Sequence, residues 1–541
     1  MLVAAIAPFE IPLPGSILGF TLTSSELALL FALALAAVAW LRAPQVMSAR
    51  TPITLPLAAL VACGFAAAVA APEFRADSLR VAARLCTALL LFIAVTNVAA
   101  STVVAGRVIV ALVAAAAVVG VIAVLELAQL PWALDLLTTF RPGFHVVGGQ
   151  LRATSTLFYP TITSMFLEIA FALGLARIAT SGWAFASLVA VAAGIVATFT
   201  RAGLLTMAMS LAIVGVVSYW RSREWGKVHT RLALLGAATV ALVLVSRSPQ
   251  MLVARMSAEG SQEWYGAAYT VPSTVTLSPD SFNEVPVTLT NDGRLTWQSN
   301  ATPPFALSYH WLSSVNEEVV VFDGLRTPFA DPIAPGETVS MRARVRAPGF
   351  PGTYILIWDV VQEHRTWLSL EGVYPGRTLA SIEGKPVSPP LASKGRMPGG
   401  SMRMPRAVLW RTALDITAER PVLGIGPDNF RHVYGRHLGL AVWDPRVHAN
   451  STYLEVLSGM GVVGAAALVW LMVAAARAIP RIVMQAGEAR LPIAAASLAA
   501  CVAITAHALV DSFLTFTPTY VAFALAAGIL FAHSEGDRQC A

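Results

Sequence analysis

Runs of apolar residues close to twenty long recur along this chain, separated by short basic links, and they constrain the fold more than any other feature. A helix needs ~20 residues to cross ~30 Å of hydrocarbon. Runs of that kind fall at 19–41, 53–71, 80–99, 104–129, 160–179, 183–200, 203–220 and 231–247, then at 452–477, 491–513 and 516–533. They predict a polytopic α-helical membrane protein with about eleven transmembrane helices. A chain that is 56% hydrophobic and 13% charged is too apolar to be soluble, which agrees.

Basic residues orient the bundle, because short links rich in Lys and Arg stay cytoplasmic. The richest links carry Arg221, Arg223, Lys227 and Arg231, then Arg477, Arg481 and Arg490; Arg42 and Arg50 follow the first run. Counting crossings from them places the N-terminus outside and the tail with Arg538 inside. The loops at 130–159, around 201 and throughout 248–451 then face outward. The first residues lack the charged region of a removable signal peptide. Inside-positive links explain the net charge of +6, so it is no sign of nucleic-acid binding. Cys63, Cys86 and Cys501 lie in the runs and Cys540 in the tail; the outward insert has no cysteine, so no disulfide supports it.

The insert divides the chain into an N-terminal bundle at 1–250, a β-rich stretch at 262–388, a basic stretch at 391–451 and C-terminal helices at 452–541. Short alternating segments at Ser273–Leu277, Val285–Thr290, Val319–Phe322, Val339–Val345 and Tyr354–Val361 predict an extracytoplasmic, all-β antiparallel sandwich. Turn residues such as Asn291-Asp292-Gly293 and Pro351-Gly352 separate them. Trp297, Trp311, Trp358 and Trp367 are the expected core. Through NDGRLTW, SYHW, PGETVSMRARVRAP and PGTYILIWDVV this stretch resembles immunoglobulin-like domains of the four-tryptophan type. Such a domain brings its ends together, so it is expected to be separable from the site. The next stretch opens with LASKGRMPGGSMRMP, a flexible linker by its Gly, Ser and Pro content, followed by a helix from Arg406 to Arg420.

The segments LWRTALDITAERPVLGIGPDNFRHVY and VHANSTYLEVLSGMGVVGAAALVWL resemble the O-antigen ligase and polysaccharide polymerase superfamily. The likeness rests on Arg406 four residues before Trp410, a rPxxGxGxxxF turn from Arg420 to Phe430, then His448, Asn450, Leu454-Glu455 and Gly461–Gly464. Upstream, TFTRAG at 198–203 is similar to the family's Ser-Arg-Gly signature, with Thr200 in place of the commoner Ser. RATSTLFYPT at 152–161 resembles the Arg-containing entry to the fifth helix.

The resemblance implies transfer of a glycan from a polyprenyl diphosphate (undecaprenyl diphosphate in bacteria) onto an acceptor hydroxyl, in lipopolysaccharide or other surface polysaccharide biosynthesis. It places the enzyme in a bacterial cytoplasmic membrane among membrane lipids, with its active site facing outward. The leaving group is strongly anionic, and arginine's planar fork grips phosphate oxygens in pairs. A hydroxyl nucleophile needs a base, and histidine titrates nearest neutrality. Arg201, Arg406 and His448 are therefore the expected catalytic residues, and Arg152 and Asn450 the expected substrate-binding ones. The resemblance implies an inverting glycosyltransferase, and because the outer loops contain no Asp-x-Asp to hold a metal-bound nucleotide sugar, no metal or cofactor is expected. Its acceptor would be a glycan, a lipid or a protein. The alternative is a transporter or flippase of lipid-linked glycans, which would instead concentrate polar residues at mid-membrane. Glu126 and Glu168, near outer span ends, are candidates for substrate contact, and His507 and Asp511 for a mutual contact on one helical face.

Overall fold

The computed structural model describes residues 1–13, 22–42, 48–140, 145–147, 150–222, 226–246, 264–301, 304–363, 366–392, 406–440 and 443–532. Arg223, Arg538, Cys540 and the expected linker over 393–405 lie outside these residues.

Each predicted apolar run contains a helix. The first half holds α1 (Leu2–Ile6), α2 (Ser24–Arg42), α3 (Thr54–Ala70), α4 (Arg75–Val98), α5 (Thr102–Leu127), α6 (Pro131–Leu137), α7 (Pro160–Gly174), α8 (Gly182–Ala197), α9 (Arg201–Ser222) and α10 (Lys227–Val245). After the insert come α11 (Arg406–Glu419), α12 (Phe430–His437), α13 (Thr452–Gln485), α14 (Leu491–His507) and α15 (Thr517–Leu530). Among the described residues six helices, α2, α4, α5, α9, α10 and α13, are long and apolar enough to cross a membrane. The other runs are shorter helices than the sequence suggested. At 1.5 Å per residue, 14–17 residues reach only about 21–26 Å. One of them, α7, is almost wholly buried among its neighbours.

Three basic residues fasten one end of the bundle by hydrogen-bonding to carbonyls where helices stop. Arg490 reaches the carbonyls of Ala99 (2.7 Å) and Ile529 (2.9 Å), just past α4 and at the end of α15. Arg221 donates to the carbonyls of Met484 and Ala486. Arg231 donates to that of Ile178 at 2.6 Å. Helix ends leave their last carbonyls unsatisfied, and a guanidinium can serve two at once.

The insert forms two facing sheets. One carries β4 (Thr274–Leu277), β12 (Gly376–Ile382), β10 (Gly352–Gln362), β6 (Phe305–Ser313) and β7 (Val319–Val321) in that order, with β8 (Thr327–Pro328) paired to β6 and β11 (Thr366–Trp367) to β10; the other carries β3 (Ala267–Thr270), β5 (Phe282–Asn291) and β9 (Thr338–Arg346). Alternate residues of both sheets meet in the core: Val285, Val287 and Leu289 against Tyr309, Trp311, Leu356 and Trp358. Two expectations need correction. The sandwich is not wholly antiparallel, because β12 and β4 run parallel. Trp297, Trp311 and Trp358 occupy the main core, but Trp367 lies apart with Ala306 and Val361, under the Arg326 guanidinium. Strand alternation puts it on the opposite sheet face.

The rPxxGxGxxxF turn stitches itself into a break in α13. Ile425 N–H donates to the Ser458 carbonyl (3.0 Å), Gly426 N–H to Gly459 (2.9 Å), and Val462 N–H back to Pro421 (2.8 Å). Gly461 interrupts the helix at φ 63°, and a β-carbon there would sit 2.3 Å from the Val422 carbonyl oxygen. Only glycine accommodates both constraints. The Gly-x-x-Gly pattern thus marks the place where a helix opens its backbone to a neighbouring segment.

Candidate active site

The motif residues gather at the end of the bundle opposite the three arginine fasteners. Arg152 ends β2 (Gln150–Arg152), which pairs with β1 (His145–Val147). It is buried, with Nε donating to the Thr198 carbonyl (3.0 Å) and Nη2 to Thr200 Oγ1 (3.2 Å). The next residue, Ala153, donates its N–H to the carbonyl of Ala197. The Glu126 carboxylate accepts the N–H groups of Thr154 (3.1 Å) and Ser155 (2.7 Å). Glu126 therefore holds the backbone just after Arg152, and Arg152 braces the short turn that leads to Arg201, the half-buried first residue of α9.

A buried polar junction lies beneath that turn. Glu168 of α7 accepts from Ser164 Oγ (2.6 Å) and pairs with His507 Nδ1 (2.9 Å) at the end of α14. Gly203 lets α9 approach, since a β-carbon there would come within 3.0 Å of Glu168 Oε1. His507 hydrogen-bonds Glu168, while Asp511, beyond the end of α14 at His507, acts on its ring electrostatically as the sequence led one to expect. Arg406, at the start of α11, acts electrostatically on His507 from the other side. Among the described residues its buried Nε has no hydrogen-bond partner. Asn450, at φ 51°, gives its carbonyl to the Trp410 indole N–H (3.4 Å), and Thr452 N–H bonds to the Ala508 carbonyl (2.9 Å). Arg406, Asn450 and His507 are so drawn together.

His448 sits between two carboxylates. Its Nδ1 is 3.3 Å from Asp428 Oδ1 and 3.7 Å from Glu455 Oε1, with the side chain 14% exposed. Arg431 Nε holds the other Asp428 oxygen at 2.8 Å, and the Ala449 N–H holds Glu455 Oε1 at 2.6 Å. Phe516 meets the imidazole edge to face, ring centroids 5.9 Å apart. Burial disfavours a charged ring, yet Asp428 and Glu455 outweigh it and push His448 up to about 10. Burial likewise opposes ionisation of Asp428, but His448 and Arg431 hold its carboxyl below the usual carboxylate range.

The linkage follows from that sign. A histidine raised above its ordinary 6.5 confers stability that is complete below about 6.5 and is lost as pH climbs through about 10. Thermal melts between about pH 6 and pH 10 should therefore show Tm falling toward the alkaline end. Asp428→Asn should move that fall to lower pH; identical profiles would mean that the pair is not coupled.

Asp428, His448 and Glu455 also form the donor set of a possible metal site, their ligand atoms lying within 4.8 Å of one another. A ring proton competes for the same oxygens. Sequence reasoning passed over Asp428 and Glu455 although both lie in the quoted motifs. The signal was a carboxylate on either side of the histidine in sequence, at 428 and 455, inside stretches that pair with one another.

Six helices of membrane-crossing character, with a cationic polar site at one end of their bundle, define a multi-pass membrane protein. Residues 387–469 match the family model described as O-antigen ligase, which supports placing the chain with that family. No curated protein matches the chain. The match implies an O-antigen ligase or polymerase type of membrane enzyme in polysaccharide biosynthesis, and it does not favour the transporter alternative.

Proposed function

We propose that the protein is a metal-independent, inverting glycosyltransferase that moves a glycan from a polyprenyl diphosphate to an acceptor hydroxyl at the outer face of a bacterial cytoplasmic membrane. One observation carries this reading. The family-matched segment brings Arg406 and His448 to the same end of the bundle as Arg152 and Arg201, which lie more than two hundred residues away in sequence. Arg201 and Arg406 hold the diphosphate oxygens, and Arg152 keeps the Arg201 turn in place beside them. Asn450 helps to seat the substrate. The acceptor oxygen attacks the anomeric carbon from the face opposite the diphosphate. The bond from carbon to the diphosphate oxygen breaks, its electron pair stays on that oxygen, and the hydroxyl proton passes to the departing diphosphate.

His448 activates or orients the acceptor. The two carboxylates at Nδ1 favour orientation, because a ring charged up to about 10 offers a positive N–H at Nε2 and can act as a base only after losing a proton.

Purified protein given a lipid-linked glycan and candidate acceptors should release polyprenyl diphosphate and form a glycoside of inverted configuration. Movement of the intact lipid-linked glycan across vesicles, with no bond broken, would favour transport instead. The proposed orientation has its own check. A membrane-impermeant thiol reagent should label Ser313→Cys on intact spheroplasts and miss Ser222→Cys; the reverse pattern would turn the site inward.

A further inference from the structure

The β-sandwich meets the bundle at the arginine turn. Trp264 lies at its root, with its carbonyl accepting the Arg294 N–H (3.3 Å), while the Asp292 N–H bonds to the Gly266 carbonyl (3.0 Å). Between them, Tyr265 is buried and donates its hydroxyl to Gln362 Oε1 at 2.7 Å inside the sandwich. The backbone of Trp264 thus belongs to the sandwich. Its indole packs both on the edge of the sandwich core and on Phe199, beside Leu127. Leu151 enters the bundle's side of the same junction, buried within the sandwich's own core cluster. Leu151 immediately precedes Arg152, and Phe199 stands two residues before Arg201.

Phe199 also has φ 49°, a left-handed conformation that costs a residue with a β-carbon energy and persists only where its surroundings fix it. Its N–H closes the turn onto the Val196 carbonyl (3.0 Å), and its ring is 5% exposed. That backbone twist sends the ring toward Trp264 while Thr198 and Thr200, on either side, receive Arg152.

We propose that the sandwich is a positioning element for the site: Trp264 locks Phe199 and, with Leu151 held in the sandwich core, sets the turn that receives Arg152 and leads to Arg201. The proposal rests on the reading that Arg201 holds the donor diphosphate and that Arg152 braces its turn. It departs from the expectation of a separable insert, since a passive spacer has no need to bury its root against that turn. Trp264 is a positioning residue and touches no reacting atom.

The test uses full-length protein in nanodiscs with Trp264→Ala, Trp264→Phe, Phe199→Ala, the double alanine variant, and Phe282→Ala, an exposed sandwich position, as control. Loss of one aromatic contact should raise the donor KM about fivefold and leave kcat within about twofold. Trp264→Phe should recover most of the loss and the control should match wild type. The double variant should be no worse than the poorer single, because the two residues act through one contact. Amide exchange at 198–204 should speed up in Trp264→Ala while β6 and β10 stay protected. Unchanged exchange at 198–204, or additive effects in the double variant, would overturn the proposal. If Trp264→Ala loosens β6 and β10 as well, Phe199→Ala decides from the bundle side, and a normal donor KM there is equally fatal. The exchange result stands without any transfer. A wild-type protein that transfers nothing would therefore sink the functional reading and still leave the coupling decided.

Discussion

Replacing His448 with alanine should slow glycan transfer by about 10²–10³-fold, the usual cost of losing a preorganised hydrogen-bond donor in a site, while the protein still inserts and binds the lipid-linked donor. Removal of the ring leaves Asp428 and Glu455 facing each other without the cation between them. Some loss of stability is therefore expected alongside the loss of rate, and a melt must accompany the kinetics. His448→Gln separates the two effects, since it retains a polar side chain near the carboxylates but no titratable ring. Chelators should change neither wild type nor variant. Near-wild-type turnover of a folded His448→Ala protein at saturating donor and acceptor would falsify the catalytic assignment. A variant that recovers activity with added divalent metal would point to the carboxylate pair as ligands instead.

Arg201→Lys should lower kcat by roughly 10²–10³-fold, the range seen when one preorganised donor to a developing oxyanion is lost. The substitution keeps a positive charge but removes the planar fork that can grip two phosphate oxygens together. It should leave Arg152 bonded to Thr198 and Thr200, because those contacts are made from the other side of the turn. The loss should therefore appear in turnover and donor binding, with little change in melting. Arg152→Lys makes the informative contrast: its guanidinium is a brace, so exchange at the turn should rise together with the donor KM. Equal kinetics for wild type and Arg201→Lys would place the diphosphate elsewhere.

The positions of the helices were legible because hydrocarbon imposes one length and one chemistry on anything that crosses it. Their ends were less so. The run at 491–513 stops as a helix at His507, where the imidazole turns to Glu168 on another helix, a pairing that periodicity along one segment cannot reveal. Strand alternation located β5, β9 and β10 to within a few residues, yet it could not distinguish the parallel β12–β4 pair from an antiparallel one. In the candidate site, Arg406, His448 and Asn450 stood out by their spacing within a familiar pattern. Asp428 did not, because a lone aspartate after Gly-Pro reads as a turn residue. Its proximity to His448 depends on the stitch between Ile425–Gly426 and Ser458–Gly459. The contact of Trp264 with Phe199 was beyond reach for a similar reason, since it joins segments whose intervening sequence gives no sign of meeting.

The three arginine fasteners lead a double life during biogenesis. In the proposed orientation, Arg221, Arg231 and Arg490 are charges that resist translocation while the chain is being inserted and so set which way the helices face. Once the bundle has closed, the same guanidinium groups are committed to the exposed carbonyls where neighbouring segments end. Orientation and closure are thus written in the same atoms, and a lysine substitution preserves the first instruction while weakening the second. Such a protein would enter the membrane the right way round and then assemble loosely, a defect that topology mapping alone would score as normal.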